Sequence, residues 1–78
     1  MKNPAMFLSM ALADDIRMAE RHVRHGELHI ARQHSLIAGL EAAGKPADGA
    51  KAFLALLEDL QMLHRAHLSR LLRRASGG

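Results

Sequence analysis

The chain has 78 residues, no cysteine and a formal net charge of +3 with its histidines neutral. This length allows one small domain at the lower limit of what a single core stabilises, and the lack of cysteine excludes disulfides and thiolate metal sites. Hydrophobic residues make up 49% of the chain and aromatic residues 3%, with Ala, Leu, Arg and Glu abundant. This composition favours helix over strand or disorder.

Residues 1–9 are predicted to form an N-terminal arm. Asn3-Pro4 is expected to interrupt an early helix, and Ser9 can cap the helix that follows. The alternative is a short secretory signal, in which Lys2 precedes an apolar run. Because that run is shorter than usual signals, we expect a cytoplasmic protein. No membrane span is expected, since no stretch reaches the roughly 20 apolar residues that one requires.

Helix one is predicted over residues 10–43 from a seven-residue repeat. Heptad position a holds Ile16, Val23, Ile30 and Ile37, and position d holds Leu12, Ala19, Gly26, Gln33 and Leu40. Such a repeat predicts a left-handed, coiled-coil-like contact with a partner helix.

A glycine followed closely by a proline predicts a turn over residues 44–48. Gly44 ends helix one, and Pro46 helps to stop it. Helix two is predicted over about 47–74, with either Pro46 as its first residue or Asp48 as its N-cap. Residues 75–78 are expected to be a disordered tail. The short turn makes the helices antiparallel neighbours.

The apolar residues of helix two cover about half of its circumference, more than one partner helix can bury. We therefore expect an all-α antiparallel hairpin that pairs with itself into a four-helix homodimer, and possibly binds another protein. The predicted interface comprises Ile16, Val23, Ile30, Ile37, Phe53, Leu56, Leu57, Leu60, Leu63 and Leu71.

Histidines are the most unusual feature, with six in the chain. His64 and His67 are predicted on the apolar face of helix two, and the turn places Glu27 and His29 near their level. Three interpretations follow: a buried polar layer that sets helix register, a pH-sensitive layer, or a metal site for Zn or Ni. His22, His25 and His29 have spacings at which imidazoles can share a helix face and a metal, but they are interpreted as ordinary flanking or exposed residues.

Residues 61–78 contain four arginines and no acidic residue: Arg65, Arg70, Arg73 and Arg74. They could contact nucleic acid, but the interleaved acids elsewhere and the lack of stacking aromatics make this a minor alternative. Arg70, Arg73 and Arg74 are also predicted to lie near acidic residues at the open end of the hairpin: Asp14, Asp15 and Glu20. No nucleophile motif or phosphate loop is present, so we do not expect an enzyme.

Three stretches resemble a group of small, uncharacterised bacterial proteins that form helical hairpins: residues 14–23 (DDIRMAERHV), 29–33 (HIARQ) and 63–68 (LHRAHL). The resemblance covers residues 14–72 and implies a hairpin in a bacterial cytoplasm, without any activity. The chain departs from that group at Lys45-Pro46-Ala47, where a polar N-cap is usual. It also has a long N-terminal arm, residues 1–13, which the group lacks. The sequence thus predicts a small, non-enzymatic interaction or regulatory module.

Overall fold

Two long helices pack against each other in the computed structural model, which describes residues 4–77. Helix α1 spans Pro4–Ala42 and helix α2 spans Asp48–Gly77. They form one hairpin with extents of 66 × 17 × 15 Å, and no strand occurs between residues 4 and 77. The predicted all-α hairpin is therefore confirmed.

The N-terminal boundary was predicted wrongly. Helix α1 begins at Pro4 rather than at Met10, so Ser9 lies inside the helix and does not cap it. Proline fits the first turn of a helix, because the amide hydrogen that it lacks would have no helical partner there. Of the predicted arm, residues 4–9 are helical, and residues 1–3 lie outside the described chain.

The turn confirms the predicted end of helix one. Gly44 has a positive φ of 66°. The Gly44 amide donates to the carbonyl of Glu41 (3.0 Å), and the Lys45 amide donates to the carbonyl of Leu40 (2.9 Å). These two bonds form a Schellman motif, which satisfies carbonyls that the helix end would otherwise leave unpaired.

Helix two begins within one residue of the predicted start at about 47, but neither Pro46 nor Asp48 has the role that was predicted for it. Asp48 is the first helical residue, where its carboxylate lies near the positive end of the helix dipole. The buried Ala47 takes the capping position, since its carbonyl accepts the first helical hydrogen bond, from Lys51 (2.9 Å). Residues 75–77, predicted as tail, continue the helix, and Gly78 lies outside the described chain.

The heptad stripe of α1 is confirmed, because all nine of its positions are buried or part-buried. They pack on a matching stripe of α2, whose members alternate in steps of four and three: Ala50, Leu54, Leu57, Gln61, His64, Leu68 and Leu71. The α1 stripe is thus used inside the hairpin. Of the α2 residues predicted to contact a partner chain, Leu57 and Leu71 face α1 instead.

Polar side chains cross between the helices at two points of this seam. Gln61 Nε2 donates to the carbonyl of Val23 (2.8 Å), and Gln33 Nε2 donates to the carbonyl of Ala50 (2.9 Å). Both bonds connect a side chain on one helix to the backbone of the other. These two hydrogen bonds help to set the axial register of the two helices.

Candidate functional site

One face of the hairpin is charged and carries ion pairs between the helices. Arg65 pairs with Glu27 (3.3 Å), and Lys51 pairs with Glu41 (3.0 Å). The hydrogen bond from Lys51 to the Glu41 carboxylate, together with its charge, raises the pKa of Lys51 above the ordinary value of 10.5. All four side chains are more than half exposed, so each pair contributes little to stability.

The opposite face carries a second apolar stripe on α2. Phe53, Leu56, Leu60 and Leu63 follow steps of three and four residues, and each is between 49% and 66% exposed. Arg65 is nine residues from Leu56, or 2.5 helical turns, which places the two on opposite sides of the helix. We call these four residues the outer stripe.

A groove beside the outer stripe is lined by four of the six histidines. It has a volume of about 160 Å³. Its α1 wall holds His22, His25, Gly26 and His29, and its α2 wall holds Leu57, Leu60, Gln61 and His64. We call it the histidine groove.

The contact between His22 and His64 closes the groove across the two helices. Their ring centroids lie 5.3 Å apart, with an angle of 41° between the ring planes. A second groove of about 210 Å³ continues toward the turn and is shared by His29, Arg32 and Phe53. The α1 histidines of the groove (His22, His25 and His29) and the outer stripe of α2 therefore belong to the same face of the hairpin.

The predicted layer of Glu27, His29, His64 and His67 is not assembled in the hairpin. Only His64 is part-buried, whereas His67 and His29 are exposed and Glu27 pairs with Arg65 on the charged face. Between residues 4 and 77, no three histidine, aspartate or glutamate side chains converge as a metal-binding group. His29 and His64 do share the histidine groove, and binding of Zn or Ni stays a prediction.

The C-terminal arginines do not form the predicted pairs with Asp14, Asp15 and Glu20 in the described part of the chain. Asp14 instead pairs with Arg17 of its own helix, and Arg73 donates to Ser69 (2.9 Å). Arg74 and Asp15 line one groove at the open end of the hairpin without forming an ion pair. Nucleic-acid binding through Arg65, Arg70, Arg73 and Arg74 stays a prediction.

Two residues at the centre of this region were missed from the sequence. Gln61 is only 5% exposed, yet its residue type suggested a surface position. Its step of four after Leu57 and of three before His64 was the available signal. His22 was interpreted as a flanking residue, and its contact with His64 depends on helix register, which the sequence pattern does not specify.

No protein family matches this chain, and comparison with curated proteins and solved structures finds no similar protein. Within residues 4–77, neither helix is long and apolar enough to cross a membrane. Any function must therefore be argued from the geometry of the hairpin.

Proposed function

We propose that this chain is a small, non-enzymatic interaction module that pairs with a second copy of itself through the outer stripe. Pairing makes a four-helix bundle in which the outer stripe is covered. The observation that carries the proposal is the outer stripe itself, four large apolar side chains at helical spacing on one face.

The accessible surface of the hairpin is large enough for an interface with a second copy. Its accessible surface is 6111 Å². A compact monomer of 8.6 kDa exposes roughly 4,700 Å² by the usual scaling with mass, so about 1,400 Å² is in excess. A stable interface covers about 800 Å² on each partner, which the excess accommodates.

The hairpin has a small core of its own. Between residues 9 and 77, the buried hydrophobic residues are Ala19, Ile37, Ala47 and Leu71. Two of these four are alanines, which bury little apolar area. Chains of this size usually need a disulfide, a metal or a partner chain, and this chain has no cysteine.

A second copy is the occupant that the pattern favours. The outer stripe repeats in steps of three and four, which is the spacing that packs against another helix with the same repeat. Each copy supplies such a helix, and a two-fold axis lets the same stripe cover its counterpart. The charged face then points outward in both copies, where it is available to other proteins.

A charge placed in the outer stripe tests the proposal. Leu63→Glu puts a carboxylate at a position that is 66% exposed in the hairpin, so the monomer should tolerate it. Met62→Glu is the matched control, because Met62 is 68% exposed and adjacent but points about 100° away. Mass is measured by light scattering at pH 8 with chelator present.

We expect the unmodified chain and Met62→Glu to have the mass of a dimer and Leu63→Glu to have that of a monomer. A monomeric unmodified chain would contradict self-association. Dissociation of both variants to the same degree would show that the outer stripe is not the interface. Helix content by circular dichroism confirms that each variant is folded.

A further inference from the structure

The contact between His22 and His64 has the spacing of two ligands on one metal ion. Zn²⁺ lies about 2.1 Å from an imidazole nitrogen and thus roughly 3.2 Å from the ring centroid. Two imidazoles on a tetrahedral ion then have centroids roughly 5.3 Å apart, given an angle of about 109° at the metal. The observed separation is 5.3 Å, which matches this value and also lies in the ordinary range for two rings in contact.

The lining of the histidine groove suits a borderline-soft cation. It presents imidazoles, one amide and two leucines, and none of its lining residues is a carboxylate, lysine or arginine. Imidazole nitrogen is a ligand that zinc, copper and nickel share, whereas Mg²⁺ and Ca²⁺ require oxygen ligands. The lining of the groove therefore suits late first-row transition metals better than Mg²⁺ or Ca²⁺.

An unused hydrogen-bond acceptor lies at the same place. Gln61 Oε1 is buried and has no hydrogen-bond partner in the described chain. Histidines that bind metals usually donate their other ring N–H to such an acceptor, which fixes the orientation of the ring. Gln61 lines the groove together with His22 and His64, and its Oε1 lies against Gly26 in the α1 wall of the same groove.

A third imidazole, His25, does not converge with His22 and His64 within residues 4–77, and a change of its rotamer is needed to bring it to the same ion. His25 is three residues after His22, a spacing at which two side chains share a helix face, and its exposed side chain is free to rotate. His29 lies seven residues after His22, or about 10.5 Å along the helix axis, which places it beyond the same ion.

We propose that the histidine groove binds one late first-row divalent metal ion per chain, with His22 and His64 as the pair that joins the helices and His25 as third ligand. A water molecule completes the coordination. The ion connects α1 to α2 and so stabilises the hairpin. This site lies within one chain and does not depend on the proposed self-association.

Zinc chloride titrated into the full chain by calorimetry tests the site, in a non-chelating buffer at pH 7.5. The ligand variants are His22→Gln, His25→Gln and His64→Gln. The matched controls are His29→Gln in the same groove, His34→Gln elsewhere on α1 and His67→Gln on α2. Both His34 and His67 are exposed and do not line the groove.

We expect one zinc ion per chain and a higher melting temperature with zinc, since a ligand of the native state stabilises it. His22→Gln and His64→Gln should each weaken binding by at least about tenfold, because loss of even an outer-shell partner of a metal ligand costs that much, and the three controls should not. The Leu63→Glu variant should bind zinc like the unmodified chain, which separates this result from the test of self-association.

Three results would overturn the site. The first is a lack of saturable zinc binding. The second is an equal loss of affinity in the ligand variants and the controls, which would indicate scattered surface imidazoles. The third is one ion per two chains, which would show that the ligands do not come from a single hairpin.

Discussion

At the scale of single residues, the contact between Gly26 and Gln61 is the most constrained part of the seam. A Cβ added to Gly26 would lie 1.8 Å from Gln61 Oε1 and 2.6 Å from its Cδ. The Gln61 side chain occupies this space because it also donates to the carbonyl of Val23. Glycine in mid-helix costs about 1 kcal/mol relative to alanine, and this contact explains why it is present.

Gly26→Ala is therefore expected to lower the free energy of unfolding, by about 1 kcal/mol. The new methyl group displaces Gln61 and breaks its hydrogen bond, which outweighs the gain in helix propensity. Gly39→Ala is the control, since nothing lies within 4 Å of an added Cβ there. It should raise the free energy of unfolding by up to about 1 kcal/mol. Thermal or urea unfolding measures both.

Gly26→Ala in a Gln61→Ala background shows whether the contact between Gly26 and Gln61 causes the loss of stability. With the long side chain removed, Gly26→Ala should no longer destabilise the protein. An unchanged penalty in the double variant would mean that Gln61 is not responsible. Contacting residues are expected to be non-additive in this way.

At the scale of elements, the turn decides how the two helices meet. Gly44 takes a left-handed conformation, and the two hydrogen bonds of the Schellman motif end α1. Asp48 then starts α2 only a few residues later. The hydrogen bond from Gln33 to Ala50 ties the start of α2 to α1. The short turn therefore sets the register that brings His22 beside His64.

Gly44→Ala is expected to destabilise the hairpin by about 1 kcal/mol, because a Cβ strains the left-handed conformation. Gly49→Ala is the matched control in the first turn of α2, where φ is not positive and nothing lies near the added Cβ. It should leave stability unchanged or raise it slightly. Equal destabilisation by the two changes, measured by thermal unfolding, would contradict this account of the turn.

At the scale of the whole molecule, the two faces of the hairpin differ in chemistry. One carries ion pairs, and the other combines the outer stripe with the histidine groove. Four of the six histidines share this groove. Arg32 lines the neighbouring groove, and no carboxylate lines either one. The face proposed to associate therefore has no acidic side chain in either of its two grooves.

Much of the fold was predictable from local patterns. The isoleucine and valine repeat identified the contact stripe of α1, because a helix buries residues at fixed angular spacing whatever its partner. Gly44 identified the end of that helix, since few residues tolerate its conformation. Pro4 was misjudged because proline is compatible with both a break and a helix start.

The sequence by itself determined two amphipathic helices, the turn between them and the wide apolar surface of α2. Only the tertiary structure decided which apolar residues face α1 and which form the outer stripe, because both sets have the same periodicity. It also decided that Gln61 is buried against Gly26 and that His22 meets His64. These contacts depend on the axial register and rotation of two helices, which the turn and the interhelical hydrogen bonds fix together.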